Sequence, residues 1–195
     1  VRAHLPRLIA GLAALRLSDG SKPDIALTTN GATLRNVAGE LRAAGLDRIN
    51  VSLDTLQRDR FVAVTRRDEL DNVLAGIAEA TQVGFDKVKV NTVIERGVND
   101  DEIVALADFG RDTGVEVRFI EFMPLDAQAT WDLSQVVGQD EIVARLSAVH
   151  PLESLPARGA APADRWRYTD RELGTPGSTV GVIPSVTKPF CGDCD

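Results

Sequence analysis

The chain has 195 residues, of which 44% are hydrophobic and 26% are charged, as in an ordinary globular protein of one or two domains. Its net charge of −7, without a basic run, argues against a nucleic-acid-binding surface. No apolar run reaches the roughly 18 to 20 residues of a membrane span, and no secretory signal opens the sequence. We therefore expect a cytoplasmic protein with a trimmed N-terminus and no membrane contact.

Helices and strands alternate through the first two thirds of the chain. The predicted helices cover residues of about 5–15, 33–44, 70–84 and 100–113, and the predicted strands cover about 24–29, 48–53, 87–94 and 115–121. The segment between the second strand and the third helix is predicted to be a loop rich in Arg and Asp. Strands that alternate with helices in this way indicate βαβ units, and hence a parallel sheet or barrel.

The pattern changes after Leu125. One more helix is predicted at about 139–149, followed by a segment rich in Pro, Ala and Gly with two short strands at 166–168 and 179–183. We interpret residues 1–125 as a barrel core and residues 126–195 as a C-terminal extension that packs on it.

Each predicted strand has one apolar face and one polar face, because successive side chains point to opposite sides. A single polar face can simply mark the point where a strand enters solvent, but four strands share this pattern. Lys89 lies in mid-strand between two valines, where burial is costly without an anionic partner, and Arg118 adds a second cation. Together these two residues predict a pocket for phosphate or carboxylate.

Cys191 and Cys194 are the only cysteines, in a C-x-x-C pair at the end of the sequence. Two thiolates can share one metal, but a structural zinc or an iron–sulfur cluster requires three or four protein ligands. His4 and His150, the only histidines, have no companions at metal-ligand spacing. We therefore expect the pair to be part of an incomplete metal or cluster site, with a thioredoxin-like redox pair as the alternative.

Five motifs stand in a specific order along the chain, and together they resemble one enzyme family. They are Thr28-Thr29-Asn30-Gly31, Arg48-Ile49-Asn50-Val51-Ser52-Leu53-Asp54, Lys87-Val88-Lys89-Val90-Asn91, Arg118-Phe119-Ile120-Glu121-Phe122-Met123-Pro124 and Pro189-Phe190-Cys191-Gly192-Asp193-Cys194. The chain resembles the GTP 3′,8-cyclases of molybdenum cofactor biosynthesis, which are radical S-adenosylmethionine enzymes.

The resemblance implies an α/β fold with a partial (β/α)6 barrel, truncated at its N-terminus, and a C-terminal extension. It also implies a lyase with S-adenosylmethionine and two 4Fe-4S clusters as cofactors. The implied reaction converts GTP to (8S)-3′,8-cyclo-7,8-dihydroguanosine 5′-triphosphate, which passes to the cyclic pyranopterin monophosphate synthase of the same pathway. A homodimer is one form of assembly that it leaves open.

The resemblance also assigns roles to individual residues. Ser52 and Met123 match positions that contact S-adenosylmethionine, and Thr28, Lys89 and Arg118 match positions that contact GTP, with Arg118 also counted as catalytic. Cys191 and Cys194 match two of the three ligands of an auxiliary 4Fe-4S cluster. The sequence contains neither the first-cluster loop, nor the Gly-Gly-Glu-type segment that holds the methionine amine, nor a third C-terminal cysteine. We therefore expect these 195 residues alone to be inactive and to hold neither cluster stably.

Two alternatives from the residues stay open. The first is a different radical S-adenosylmethionine enzyme with an auxiliary cluster. The second is a phosphate-binding β/α barrel protein whose C-x-x-C pair is a minor zinc or redox feature. A pure interaction module would leave the polar strand faces without a cause.

Overall fold

A computed structural model describes residues 4–85, 87–123, 132–157 and 161–188 of the chain. Its α-helices are α1 (Leu5–Ala13), α2 (Leu34–Ala43), α3 (Arg58–Thr65), α4 (Leu70–Gln82), α5 (Ile103–Thr113) and α6 (Gln139–Ser147). Its strands are β1 (Ala26–Thr29), β2 (Arg48–Ser52), β3 (Lys87–Ile94), β4 (Glu116–Glu121), β5 (Leu152–Ser154), β6 (Asp164–Tyr168) and β7 (Thr179–Ile183). Short 3-10 turns lie at Asp100–Glu102 and Leu133–Gln135.

These seven strands form one mixed sheet in the order β1-β2-β3-β4-β7-β6-β5. The predicted α/β class is confirmed. By its contacts the chain divides into two compact units. The first comprises residues 1–53 and 58–89, and the second comprises residues 54–57 and 90–195.

The first unit is built on the parallel pair β1 and β2, in which Thr28 lies opposite Asn50. Helices α2 and α4 pack against each other. They approach closely at Gly76 of α4, where an added Cβ atom would lie 2.8 Å from the carbonyl oxygen of Gly31. Leu41 of α2 and Ile77 of α4 are almost fully buried and belong to the core of this unit.

The second unit carries the other described strand pairs. β4 pairs in parallel with β7, while β6 pairs antiparallel with both β7 and β5. The chain between β4 and β7 includes α6, which contacts both α5 and β7. The C-terminal strands are therefore hydrogen-bonded into the sheet beside β4, a closer association than the packing that we predicted.

Two predictions about secondary structure were wrong. Residues 58–65 form helix α3 in place of the predicted loop, although Phe61 is the only buried residue of that helix. Its four apolar residues, 61–64, are consecutive and so do not show the three- and four-residue spacing that predicts a helix. β5 was missed because a three-residue strand has no periodicity to read, and it forms by pairing with β6.

Among the residues that the model describes, no helix is both long enough and apolar enough to span a membrane.

Candidate functional site

In the first unit, Thr28 and Ser52 lie on the same face of the β1–β2 pair. The Asn50 side-chain amide, opposite Thr28 in the register, donates to the Thr28 hydroxyl at 3.4 Å. Ile49 and Val51 point to the other face and are fully buried, whereas Thr28 and Ser52 are exposed. The predicted division of these strands into an apolar and a polar face is confirmed.

The Thr28-Thr29-Asn30-Gly31 motif forms the turn that leads from β1 into α2. Gly31 has a φ of 77°, and a Cβ atom there would lie 2.9 Å from a methyl group of Val51. Its backbone N–H donates to the Thr29 hydroxyl at 3.2 Å, and the Asn30 side-chain oxygen accepts from the N–H of Ala32 at 3.3 Å. The turn therefore requires glycine at position 31, because only glycine tolerates both this φ and this contact.

Lys89 is the third residue of β3, and only 7% of its surface is exposed. The structure thus shows the burial of Lys89 that the prediction of an anion pocket assumed. Lys87, two residues earlier on the same strand, is exposed. Lys89 is therefore the more buried of these two lysines, and its contact with a ligand stays a prediction.

Arg118 belongs to the second unit, in the middle of β4. Its Nε donates to a carboxylate oxygen of Glu116 at 2.7 Å, and the side chains of the two residues are only 15% and 14% exposed. The other oxygen of Glu116 accepts from the Thr179 hydroxyl at 3.1 Å and lies 3.6 Å from a terminal nitrogen of Arg165. The Glu116 carboxylate therefore lies between two largely buried guanidinium groups.

Three neighbouring strands place Arg118 and Arg165 in one row. Arg118 of β4 and Arg165 of β6 are both in register with Gly181 of β7. Arg165, Glu116, Thr179 and Gly181 were not predicted as site residues. The alternation around Arg165 was visible in the sequence, but only the strand register shows that it lies on the same face as Arg118.

Met123 lies two residues beyond β4 and is 40% exposed. Cys191 and Cys194 lie outside the described residues. Within the described ranges, no group of three or more His, Cys, Asp or Glu side chains could hold a metal ion. His150, one of the two histidines, lies with its Nε2 2.8 Å from an oxygen of Asp108.

Two carboxylates, one fully buried and one half-buried, fix loops of the second unit. Glu121, at the end of β4, is fully buried and binds residues 186–187, shortly before the cysteine pair. Asp54, two residues after Ser52, accepts from the N–H of Val93 at 2.8 Å. Burial raises the pKa of the Asp54 carboxyl, and that hydrogen bond opposes the rise.

The fold and these side chains define a mixed α/β protein with a buried lysine in β3 and a largely buried arginine in β4. The model of the Radical SAM superfamily matches residues 1–110, and the model described as Molybdenum Cofactor Synthesis C matches residues 115–195. The chain belongs to the Radical SAM superfamily.

Curated relatives agree with these matches. The chain is 46% identical over 196 aligned residues to proteins named GTP 3′,8-cyclase from Corynebacterium glutamicum (strain R) and Acidothermus cellulolyticus, covering 100% of this chain and 52% of each relative. The protein of that name from Mycobacterium ulcerans is 44% identical over 193 residues, covering 98% of this chain and 52% of the relative. The resemblance predicted from the motifs is confirmed. The chain spans about half the length of these relatives.

One solved structure adds to the evidence for the fold. The structure of TYW1 with a lysine-pyruvate adduct bound matches with a TM-score of 0.53 and 13% identity, covering 76% of this chain and 48% of that one. At this identity the match supports the α/β fold alone.

Proposed function

We propose that the protein to which this chain belongs is a GTP 3′,8-cyclase, a lyase of molybdenum cofactor biosynthesis. The observation that carries this proposal is the 46% identity over the whole chain to proteins of that name. The described residues are compatible with it, because Lys89 is buried in β3 and Arg118 is largely buried in β4. Cations on this side suit a triphosphate substrate in an otherwise acidic protein.

We assign the substrate and its contacts as follows. Lys89 and Arg118 bind phosphate oxygens of GTP, and the exposed hydroxyl of Thr28 donates to or accepts from the same substrate. Arg118 also acts as a catalytic residue, because it holds the triphosphate while the ribose and the base react. The product is (8S)-3′,8-cyclo-7,8-dihydroguanosine 5′-triphosphate.

The cofactors of this reaction would be S-adenosylmethionine and two 4Fe-4S clusters. When bound, they supply the radical chemistry that removes a hydrogen atom from the ribose. The Ser52 hydroxyl and the Met123 thioether are both exposed, and a polar group and a soft apolar group suit the amino-acid and nucleoside parts of S-adenosylmethionine. Cys191 and Cys194 would be ligands of the auxiliary cluster.

Several finer features belong to the same proposal. The strands of residues 1–125 would form the partial (β/α)6 barrel, and residues 126–195 the extension. The protein would act in the cytoplasm, with a homodimer as one form of assembly. Its product would pass to the cyclic pyranopterin monophosphate synthase.

The test uses a chain completed to the length of its curated relatives and reconstituted anaerobically with iron and sulfide. We expect two clusters per chain and conversion of GTP to the 3′,8-cyclised product in the presence of S-adenosylmethionine and a reductant. Cleavage of S-adenosylmethionine with GTP left unchanged would favour a different radical enzyme. Phosphate binding without any cluster would favour the β/α barrel alternative.

Variants of β3 sharpen this test. Lys89→Met should weaken GTP binding by about tenfold or more, because a charged hydrogen bond contributes about 1.5 to 3 kcal/mol. Reductive cleavage of S-adenosylmethionine should continue. Lys87→Met is the matched control, since Lys87 lies two residues away on the same strand and is exposed. Equal effects of the two variants on GTP binding would contradict the role of Lys89.

A further inference from the structure

A row of three residues crosses β4, β7 and β6 in the second unit. The register pairs Arg118 with Gly181 and Gly181 with Arg165. Residues in register on adjacent strands have side chains on the same face of a sheet, so both arginines extend over the same surface. Their common contact with Glu116 agrees with this arrangement, because both approach the same carboxylate.

The position between the two arginines has no side chain. A Cβ atom on Gly181 would lie 3.2 Å from Cγ of Arg118 and 3.6 Å from Cβ of Ala163. Even the smallest side chain would thus press against the stem of Arg118. Glycine keeps open the surface that the two guanidinium groups flank, and glycine in a strand often marks a close approach by a ligand.

Glu116 fixes the two guanidinium groups from the adjacent row. It accepts from Nε of Arg118 at 2.7 Å, while its second oxygen accepts from the Thr179 hydroxyl and lies 3.6 Å from the terminal nitrogen of Arg165. The Arg165 side chain is 12% exposed, close to the 15% of Arg118. Arginines held in this way lose little additional freedom when they bind an anion, and each can bind two oxygens at once.

We propose that Arg165 is a second phosphate-binding arginine, which binds the triphosphate of the nucleotide substrate together with Arg118 across Gly181. Glu116 is the positioning residue for both. This inference rests on the proposed function for the identity of the substrate, but the anion-binding geometry does not depend on the radical chemistry.

The test compares variants of the completed, reconstituted chain. Arg165→Gln should weaken the binding of GTP and of inorganic tripolyphosphate by about 10- to 100-fold, the loss expected for one charged hydrogen-bonding group. Arg165→Lys keeps the charge without the planar fork and should lose less. Gly181→Ala should also weaken the binding of both ligands, because its methyl group would press against the Arg118 stem although both guanidinium groups are still present.

Arg167→Gln is the matched control. Arg167 lies two residues away on β6, in register with Thr179, and pairs with Glu153. Its row is the one that contains Thr179 and Glu116, next to that of Gly181, but Glu153 engages its guanidinium group, and its substitution should leave binding within about twofold. Circular dichroism and thermal unfolding establish that each variant is folded, and reductive cleavage of S-adenosylmethionine should be unchanged in Arg165→Gln.

The outcomes separate the inference from the proposed function. If the unaltered protein converts GTP and folded Arg165→Gln and Gly181→Ala bind both ligands normally, the inference is overturned and the proposed function stands. If the unaltered protein binds tripolyphosphate without converting GTP, and Arg165→Gln abolishes that binding, the anion site stands and the proposed function fails. If the unaltered protein binds neither ligand, both are overturned.

Discussion

The carboxylate of Glu121 and the backbone N–H of Thr187 are 2.7 Å apart and join the end of β4 to the segment that follows β7. The same carboxylate accepts from the Thr187 hydroxyl and from the N–H groups of Val186 and Gln139. Glu121 is fully buried, so its charge is stabilised by these donors in place of water. One side chain thus ties together β4, the start of α6 and the segment that precedes Cys191 in sequence.

Glu121→Gln should destabilise the protein by about 3 kcal/mol, because a buried amide nitrogen would then face backbone N–H donors. Urea unfolding at neutral pH measures this change. Thr187→Val is the control, since it removes only the hydroxyl donor and should cost about 1 kcal/mol. A loss for Glu121→Gln no larger than that of Thr187→Val would contradict the assignment of Glu121 as the centre of this network.

Substitution by alanine should have opposite effects on stability at two helical glycines. Gly76→Ala should destabilise the protein by about 1 to 2 kcal/mol, because overpacking outweighs the gain in helix propensity. The new methyl group would lie 2.8 Å from the carbonyl oxygen of Gly31 and 3.0 Å from Cβ of Leu34. Thermal unfolding measures the difference from the unaltered chain.

Gly39→Ala, on the facing helix α2, is the matched substitution. No atom lies within 4 Å of its added Cβ atom, so only the helix propensity changes. We expect stabilisation by about 0.5 to 1 kcal/mol. Stabilisation of both alanine variants would contradict the close approach of α4 to Gly31.

Glu141 makes the stability of the second unit sensitive to acid. It accepts hydrogen bonds from Arg96 at 2.6 Å and from Arg145 at 2.6 Å, and these contacts, that of Arg96 first, lower the pKa of its carboxyl below the usual 4.5. A group with a lowered pKa in the folded state contributes stability above its unfolded pKa and loses it as the pH falls through the folded value. The ion pairs are partly exposed, with a Glu141 side chain that is 36% accessible, so solvent screening keeps this contribution small.

Glu141→Gln should therefore lower the free energy of unfolding by about 0.5 to 1 kcal/mol at neutral pH, as expected for the loss of two partly exposed ion pairs. The difference from the unaltered chain should vanish below the folded pKa of Glu141. Urea unfolding over a series of pH values measures both limits. Glu40→Gln, which removes a carboxylate at an exposed position of α2, is the control and should change the stability at neutral pH by less than about 0.5 kcal/mol. A constant difference at every pH would contradict the role of the charge.

The sequence predicted the elements with strong periodicity and missed those that depend on partners. The strand at 87–94 was predicted with its observed bounds, because its alternation and flanking turn are local features. Arg165 was not predicted as a site residue. Its position beside Arg118 depends on the register of β6 with β7 and of β7 with β4, which no local sequence pattern encodes. Glu121 was placed at the end of its strand, but its donors lie 18 and 66 residues away.

Asp54 should give a pH dependence of the opposite sign to that of Glu141. Burial raises the pKa of its carboxyl, so the folded state binds the proton more tightly than the unfolded state. Between the two pKa values, stability then falls as the pH rises, and above both it stays reduced. An asparagine side chain at this position would not titrate, and its oxygen could still accept from the N–H of Val93.

Asp54→Asn should therefore lose less stability than the unaltered chain between about pH 4 and pH 7, because it has no carboxyl group to deprotonate at this position. Each unit by which the folded pKa of Asp54 is raised corresponds to about 1.4 kcal/mol. Urea unfolding at both pH values measures the change within each protein, which removes any constant effect of the substitution. Glu141→Gln, measured in the same way, should shift the difference in the opposite direction. A steeper loss of stability in Asp54→Asn than in the unaltered chain would show that the half-buried Asp54 carboxylate is held mainly in its charged form, and that the hydrogen bond from Val93 outweighs the cost of burial.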